Sequence, residues 1–197
     1  MIAEDQTMVR QALVALLELE PDIEVVAQAA TGDEALAMAA KHQPDVAVLD
    51  IEMPGPTGIE VASQLNRSGF AGKVVIVTTF DRPGYLRAAM TAGASGFLLK
   101  DAPAADLAAA IRRVAAGERV VDPSLAAAAL AQGDSPLTDR ETEVLTASAS
   151  HDAITDIAAR LHLSPGTVRN HMSGAIQKLG ARNRAEAVQI AQQKGWL

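Results

Sequence analysis

The chain contains no cysteine, so neither a disulfide framework nor an oxidising compartment is expected of its 197 residues. Aromatic residues are also scarce, Phe 3, Tyr 1 and Trp 1, too few to sandwich a flavin. No apolar run approaches the roughly 18 residues that span a bilayer, so membrane insertion is not expected. Met1-Ile2-Ala3-Glu4-Asp5 lacks the basic flank and apolar block of a secretory signal, which makes the cytoplasm the expected location. Positive charge is in short supply as well, and a net charge of -7 argues against blanket nucleic-acid binding. The shortage is uneven: residues 1–135 hold 10 Lys and Arg against 18 Asp and Glu, whereas residues 136–197 hold 7 against 6, with three of the four His. An acidic front and a near-neutral back suit two jobs. With 49% hydrophobic residues and a mean hydropathy of +0.12, the chain can bury a core, and its length accommodates two ordinary domains.

What is present begins with Val46-Ala47-Val48-Leu49, an apolar run that stops on Asp50 and is followed by Pro54-Gly55. A run without polar alternation reads as a strand buried on both faces, the habit of parallel sheets covered by helices. From the start to about residue 116, such runs alternate with helical patterns, the sequence form of repeated βα units. Strands are expected at residues 1–3, 23–27, 46–49, 74–77 and 95–99. Helices are expected at 8–19, 33–41 and 106–115, where apolar residues recur at helical spacing. The expected fold is a doubly wound, five-stranded parallel α/β sheet with its switch point between strands one and three. That order sets Asp5 and Asp50 on opposite walls of one crevice.

Glu4-Asp5, Asp50, Thr78 and Lys100 then all fall on the carboxyl rim of this sheet. Taken alone, Asp50 could equally be a cap, Lys100 a salt-bridge partner and Phe97 a core aromatic. Together they have a chemical logic. Three carboxylates in one crevice repel unless a divalent cation sits among them, and hard oxygen donors, with the backbone carbonyl of Glu52, suit Mg²⁺. A hydroxyl at Thr78 and an ammonium at Lys100 can bind the oxygens of a phosphoryl group carried by Asp50. The set describes phosphoryl transfer to an aspartate rather than catalysis by His, Ser or Cys.

On these residues, residues 1–116 resemble the receiver domain of a two-component response regulator. The resemblance implies that Asp50 accepts a phosphoryl group from the phosphohistidine of a sensor histidine kinase, that Mg²⁺ is required, and that Thr78 and Phe97 form a switch pair. Two departures stand out: Met1-Ile2-Ala3 makes an unusually short first strand, for which a start further upstream is expected, and Asp101 follows Lys100 where many receivers have proline, similar to the NarL branch. Asp50-Ile51-Glu52-Met53-Pro54-Gly55 with Thr78-Thr79-Phe80-Asp81-Arg82-Pro83-Gly84-Tyr85 is similar to the DesR type, which implies a membrane-state sensor and a lipid desaturase gene.

Residues 117–136, with Gly117, Asp122-Pro123, Ser124 to Ala131 and Gln132-Gly133-Asp134-Ser135-Pro136, read as a linker carrying a short helix. Beyond it the strand signals vanish, and residues 137–197 read as four helices near 138–147, 153–161, 165–179 and 184–193. Thr138 with Glu141 forms a capping box, Ser164-Pro165 starts a helix and Gly180 ends it. Val168, Met172, Ala175 and Leu179 make a buried stripe, which leaves Gly166, Arg169, Asn170, Ser173, Gly174 and Gln177 opposite. That face can be merely solvated, or it can enter a major groove. Arg169 can reach guanine or phosphate, Asn170 a base edge, and Thr167 a phosphate at the helix N-terminus. Leu137-Thr138-Asp139-Arg140-Glu141, Ile157-Ala158-Ala159-Arg160-Leu161 and Ser164 to His171 resemble the LuxR/NarL helix-turn-helix. Asp152 stands in for the usual cap before the scaffold helix, and Gly174 inside the recognition helix should cost about 1 kcal/mol relative to Ala.

The expected function is a DNA-binding transcriptional regulator in which phosphorylation of Asp50 promotes homodimerisation and binding to double-stranded promoter DNA, with RNA polymerase as a further partner. Arg184 to Gln193, apolar at Ala187, Ile190 and Ala191, is the expected dimer helix. The alternative is an orphan regulator whose receiver dimerises without phosphorylation. An enzyme, either a flavoprotein or an aspartyl-phosphate phosphatase, is disfavoured because Asp5-Gln6-Thr7 lacks a second acid and no phosphate loop follows strand one.

Overall fold

A computed structural model describes residues 1–79, 83–131, 135–149 and 153–197. The chain divides into two compact units at Ala126, the first half of its fourth helix, residues 83–88, grouping with the second. The order is β1 (Ile2–Ala3), α1 (Thr7–Leu17), β2 (Gln28–Ala29), α2 (Gly32–His42), β3 (Val46–Leu49), α3 (Gly58–Arg67), β4 (Lys73–Thr78), α4 (Pro83–Thr91), β5 (Gly96–Leu99), α5 (Ala104–Ala115), β6 (Val120–Val121), α6 (Pro123–Ala131), α7 (Asp139–Ala147), α8 (Ile154–Leu161), α9 (Pro165–Lys178) and α10 (Arg184–Gln193).

All strands are parallel and ordered β2-β1-β3-β4-β5-β6, so the order reverses between β1 and β3 as expected. Among the described residues the sheet has six strands rather than the expected five. Val120 N–H donates to Ser95 O at 3.0 Å and Asp122 N–H to Phe97 O at 3.3 Å, which adds β6 to an edge. Two residues between Gly117 and Asp122-Pro123 are too short to declare themselves as a strand in sequence. A second correction concerns β2, which lies at 28–29 and not 23–27. Ile2 N–H donates to Ala27 O and Glu4 N–H to Ala29 O, each at 3.0 Å, so the ladder begins only where β1 supplies partners. Ile23 and Val25 still pack, half-buried, on the core.

Every residue of β3 is buried, which is why it reads as an unbroken apolar run. One face of the sheet carries Ile2, Val46, Val48, Val75, Val77 and Leu98, packed against Val14 and Leu17 of α1 and Leu107, Ile111 and Val114 of α5. Each such side chain contributes about 1.5–3 kcal/mol by leaving water. Because side chains alternate along a strand, Ile76, Thr78 and Phe97 lie on the other face.

The second unit is helical, closed around Val144, Leu145, Ile157, Val168 and Met172. The capping box at Thr138 and Glu141 forms, Ser164 caps α9 with Pro165 in the first turn, and Gly180 (φ 63°) follows its end. α8 starts from Ala153 without a side-chain cap, and Asp152, the expected cap, lies outside the described residues, as do Phe80-Asp81-Arg82 and Gln132-Gly133-Asp134. Among the described residues no helix is long and apolar enough to cross a membrane.

Candidate functional site

The carboxyl rim of the sheet gathers the residues the sequence singles out. Glu4 follows β1 and Asp50 follows β3, and Asp50 N–H donates to Ala3 O at 2.9 Å, so the β1–β3 ladder itself fixes the two carboxylates side by side. Glu4 is 1% exposed and Asp50 5% exposed, whereas Asp5 is exposed. One carboxylate oxygen from each of the three lies within 4.8 Å of the others. Lys100, at the end of β5, is brought to the same point because its N–H donates to Thr78 O at 2.8 Å across the β4–β5 pairing. Its ammonium stands 2.6 Å from Glu4 Oε2 and 3.0 Å from Asp50 Oδ2. Asp50 Oδ1 accepts the Ile51 N–H at 2.8 Å, and Glu4 Oε1 the Gln6 N–H at 3.1 Å.

Burial pushes both Glu4 and Asp50 above the ordinary carboxylate range, and the Lys100 ammonium opposes that push without cancelling it. One ammonium thus faces three acids. Among the described residues, the buried Glu4 Oε2 has no partner apart from its ion pair with Lys100. Excess negative charge, an under-satisfied buried oxygen and an all-oxygen donor set fit a small hard divalent cation. Glu52 is exposed two residues beyond Asp50, on the loop whose carbonyl was expected to join the set.

Thr78 and Phe97 are each 0% exposed. Phe97 lies opposite Ile76 in one register and Val121 in the other, so its ring packs inside the face that also carries Thr78. Two residues escaped the sequence reading. Arg10 donates from Nη1 to Glu4 O at 2.5 Å and fastens the loop that presents the acids. Gly58 starts α3 against the Asp50 carbonyl, and a Cβ there would collide with that oxygen. Neither carries a local signal, since each acts on backbone brought near by folding.

In the second unit, Gly166, Arg169, Asn170, Ser173 and Gln177 are all exposed along α9, while Val168, Met172 and Ala175 are buried, as the periodicity predicts. Thr167 is half-buried. Its N–H donates to Ser164 Oγ at 3.0 Å, and its hydroxyl lies 2.8 Å from the same atom, part of the cap at the helix start. His171 is half-buried beside the stripe. Gly174 does not share the open face. A Cβ there would come within 2.7 Å of Glu141 Oε1, so the glycine makes room for a carboxylate from α7. Along α10, Ala187 and Ala191 are 0% exposed inside their own core, whereas Ile190, the third apolar residue of the expected dimer helix, is half-buried.

Comparison with known proteins covers both units. Residues 1–112 match the response regulator receiver domain, and residues 135–191 match the bacterial regulatory proteins of the luxR family. The transcriptional regulatory protein YvfU of Bacillus subtilis is 50% identical over 196 residues, covering 100% of this chain and 98% of its own. DesR of the same organism is 47% identical over 195 residues, covering 99% and 96%. Two relatives so similar do not single out the DesR type. Among solved structures, the response regulator RcsB in complex with DNA aligns with a TM-score of 0.68 at 25% identity, over 98% of this chain and 96% of that one. The two matched domains stand in the order that the sheet and the helical unit occupy, and the chain therefore belongs to the NarL/LuxR family of two-component response regulators, transcriptional regulators rather than enzymes.

Proposed function

We propose that Asp50 is the phosphoacceptor of this regulator and that its phosphorylation by a sensor histidine kinase promotes dimerisation and promoter binding. The observation that carries the reading is the buried pair of Glu4 and Asp50 bridged by Lys100 at the carboxyl rim of the sheet. In the transfer an Asp50 carboxylate oxygen bonds to phosphorus as the P–N bond of the donor's phosphohistidine breaks. Lys100 then changes partner, from a carboxylate to a phosphoryl oxygen bearing about -1.5 to -2 charge, and the Thr78 hydroxyl serves a second oxygen. Glu4, Asp5, Asp50 and the Glu52 carbonyl would hold Mg²⁺, which supplies charge neutralisation at the phosphoryl group. Thr78 and Phe97 act as the switch pair, since both lie buried on one face of adjacent strands.

Residues 1–116 act as receiver, 117–136 as a linker whose Val120–Val121 also adds the edge strand of the sheet, and 137–197 as DNA reader, in the cytoplasm. Arg169, Asn170, Ser173 and Gln177 meet base edges or phosphates in the major groove, with Thr167 at the helix start. The exposure of that face supports this, and RcsB, of the same two-part build, is a regulator solved with DNA. Two copies on half-sites about one helical turn apart compensate for a reader of near-neutral charge. RNA polymerase is the further partner at a promoter.

The test is phosphodonor treatment of the full chain with Mg²⁺, followed by sedimentation and DNA titration. Dimerisation and tighter DNA binding are expected for the wild type and neither for Asp50→Ala. Identical behaviour of the treated and untreated wild type refutes the phosphorylation step and favours a receiver that dimerises constitutively.

A further inference from the structure

Glu141 is a buried acid in the helical unit, and its contacts tie together two elements far apart in sequence. Its N–H donates to Thr138 Oγ1 at 3.3 Å, and its Oε2 accepts the Thr138 N–H at 2.7 Å, the two halves of the capping box. The same Oε2 lies 2.7 Å from the Lys178 ammonium in the last turn of α9. Oε1 lies against Gly174, where a Cβ would stand 2.7 Å away. Burial by itself pushes Glu141 upward, but Lys178 and Thr138 more than offset it and hold the carboxyl below its ordinary range. Gly174 and Lys178, four residues apart, share one face of α9, and that face is turned toward α7.

We propose that Glu141, acting through Lys178 and the gap at Gly174, is a positioning residue that fixes the rotation of the recognition helix about its own axis. The inference rests on the DNA-reading role proposed for α9. The apolar contacts of Val168, Met172 and Ala175 are non-directional and tolerate small rotations. A charge-assisted hydrogen bond does not, because its strength depends on distance and angle. On a helix whose side chains reach about 5–6 Å from the axis, a 20° turn moves a side-chain atom by roughly 2 Å, enough to lose a base-edge hydrogen bond. Ser173 and Gln177 each directly precede a residue of the clamp, so the face they share with Arg169 and Asn170 turns with it. Gly174, which costs helix propensity, leaves room for that carboxylate: a methyl group there would stand 2.7 Å from Oε1, so the carboxylate end held by Lys178 and Thr138 would have to shift.

The experiment uses the full chain and two duplexes, one selected by the wild type from a random 30-base-pair library and one of unselected random sequence. Glu141→Gln keeps an acceptor for the Thr138 N–H, and Lys178→Met keeps the methylene stem. Each is expected to lower the ratio of the two affinities about tenfold, with the affinity for the random duplex nearly unchanged. Gly174→Ala lowers the same ratio. The double variant Glu141→Gln/Lys178→Met is expected to lose no more than either single one, because both remove one contact. An unchanged ratio beside a lowered melting temperature overturns the proposal in favour of a purely structural pair. Equal loss on both duplexes for Lys178→Met, with no loss for Glu141→Gln, overturns it by making Lys178 a plain phosphate contact. If Glu141→Gln does not fold, Lys178→Met and Gly174→Ala carry the test. A wild type that selects no sequence overturns the DNA-reading role, and this inference with it, whereas a selective wild type with unaffected variants overturns this inference alone.

Discussion

Replacing Lys100 by Met isolates what the rim owes to one ammonium. The side chain keeps its length, but Glu4 and Asp50, 1% and 5% exposed, lose the cation that lies 2.6 and 3.0 Å from them. Removing one partner from a buried ion pair costs about 3–5 kcal/mol. Because burial already favours the protonated form of both carboxyls, part of that cost is relieved, which places the expectation at the lower end, about 3 kcal/mol. For a domain of this size 1 kcal/mol shifts the midpoint by about 4 °C, so a fall of about 12 °C is expected in metal-free buffer. Added Mg²⁺ should recover part of the loss, since a cation bound only by the folded state at 100 times its dissociation constant contributes about 2.7 kcal/mol. The wild type should gain less, because Lys100 competes for the same oxygens. Adding Asp50→Asn to Lys100→Met removes one buried charge and should restore about half of the stability. Circular dichroism melts with and without chelator measure all three proteins, while the fluorescence of Trp196, packed half-buried against the other unit's core, serves as an internal control. A Lys100→Met midpoint within 3 °C of wild type in chelator, or equal Mg²⁺ shifts for both proteins, refutes the claim that these charges are coupled at the rim.

Gly58→Ala should destabilise the receiver by at least about 2 kcal/mol and slow phosphorylation by a small-molecule phosphodonor tenfold or more, since its methyl group meets the Asp50 carbonyl; a melt and a phosphorylation time course on one preparation check both. Arg169→Ala should cost about 1–3 kcal/mol on a selected duplex and relax the preference at one base pair, read by competition with single-base variants. Stability of the helical unit should depend on pH through Glu141. Its carboxyl is held below the ordinary glutamate range, so its contribution is complete above about pH 4.3 and is lost as pH falls through the depressed value. The melting gap between wild type and Glu141→Gln, followed by Trp196 fluorescence, should therefore be widest near neutrality and narrow below pH 4.

Much of the rim was legible because parallel strands buried on both faces announce their ends. Val46 to Leu49 stops on Asp50, Lys73 to Thr78 on Thr78, and Gly96 to Leu99 is followed by Lys100, so strand ends alone nominate the polar residues of one crevice. The recognition face was legible through its 3.6-residue period, which separated Val168 and Met172 from Arg169 and Asn170. The misplacement of β2 came from treating a β-branched run as a strand by itself, when a strand exists only opposite a partner that supplies hydrogen bonds. A related ambiguity holds for α10: an apolar stripe states that something covers it but not what, and for Ala187 and Ala191 the cover is their own core, while Ile190 stays half-buried.

The sequence by itself determined the two-part build, the rim acids, Thr78 and Lys100, and the face of α9 turned to solvent, because periodicity and strand termination are local and repeat within a few residues. Tertiary structure alone decided that one ammonium bridges Glu4 and Asp50, that Gly58 crowds the Asp50 backbone, and that Gly174 yields its side chain to Glu141. Those relations join atoms as far apart in sequence as Glu4 and Lys100, and their directions and distances follow from packing that no local pattern encodes.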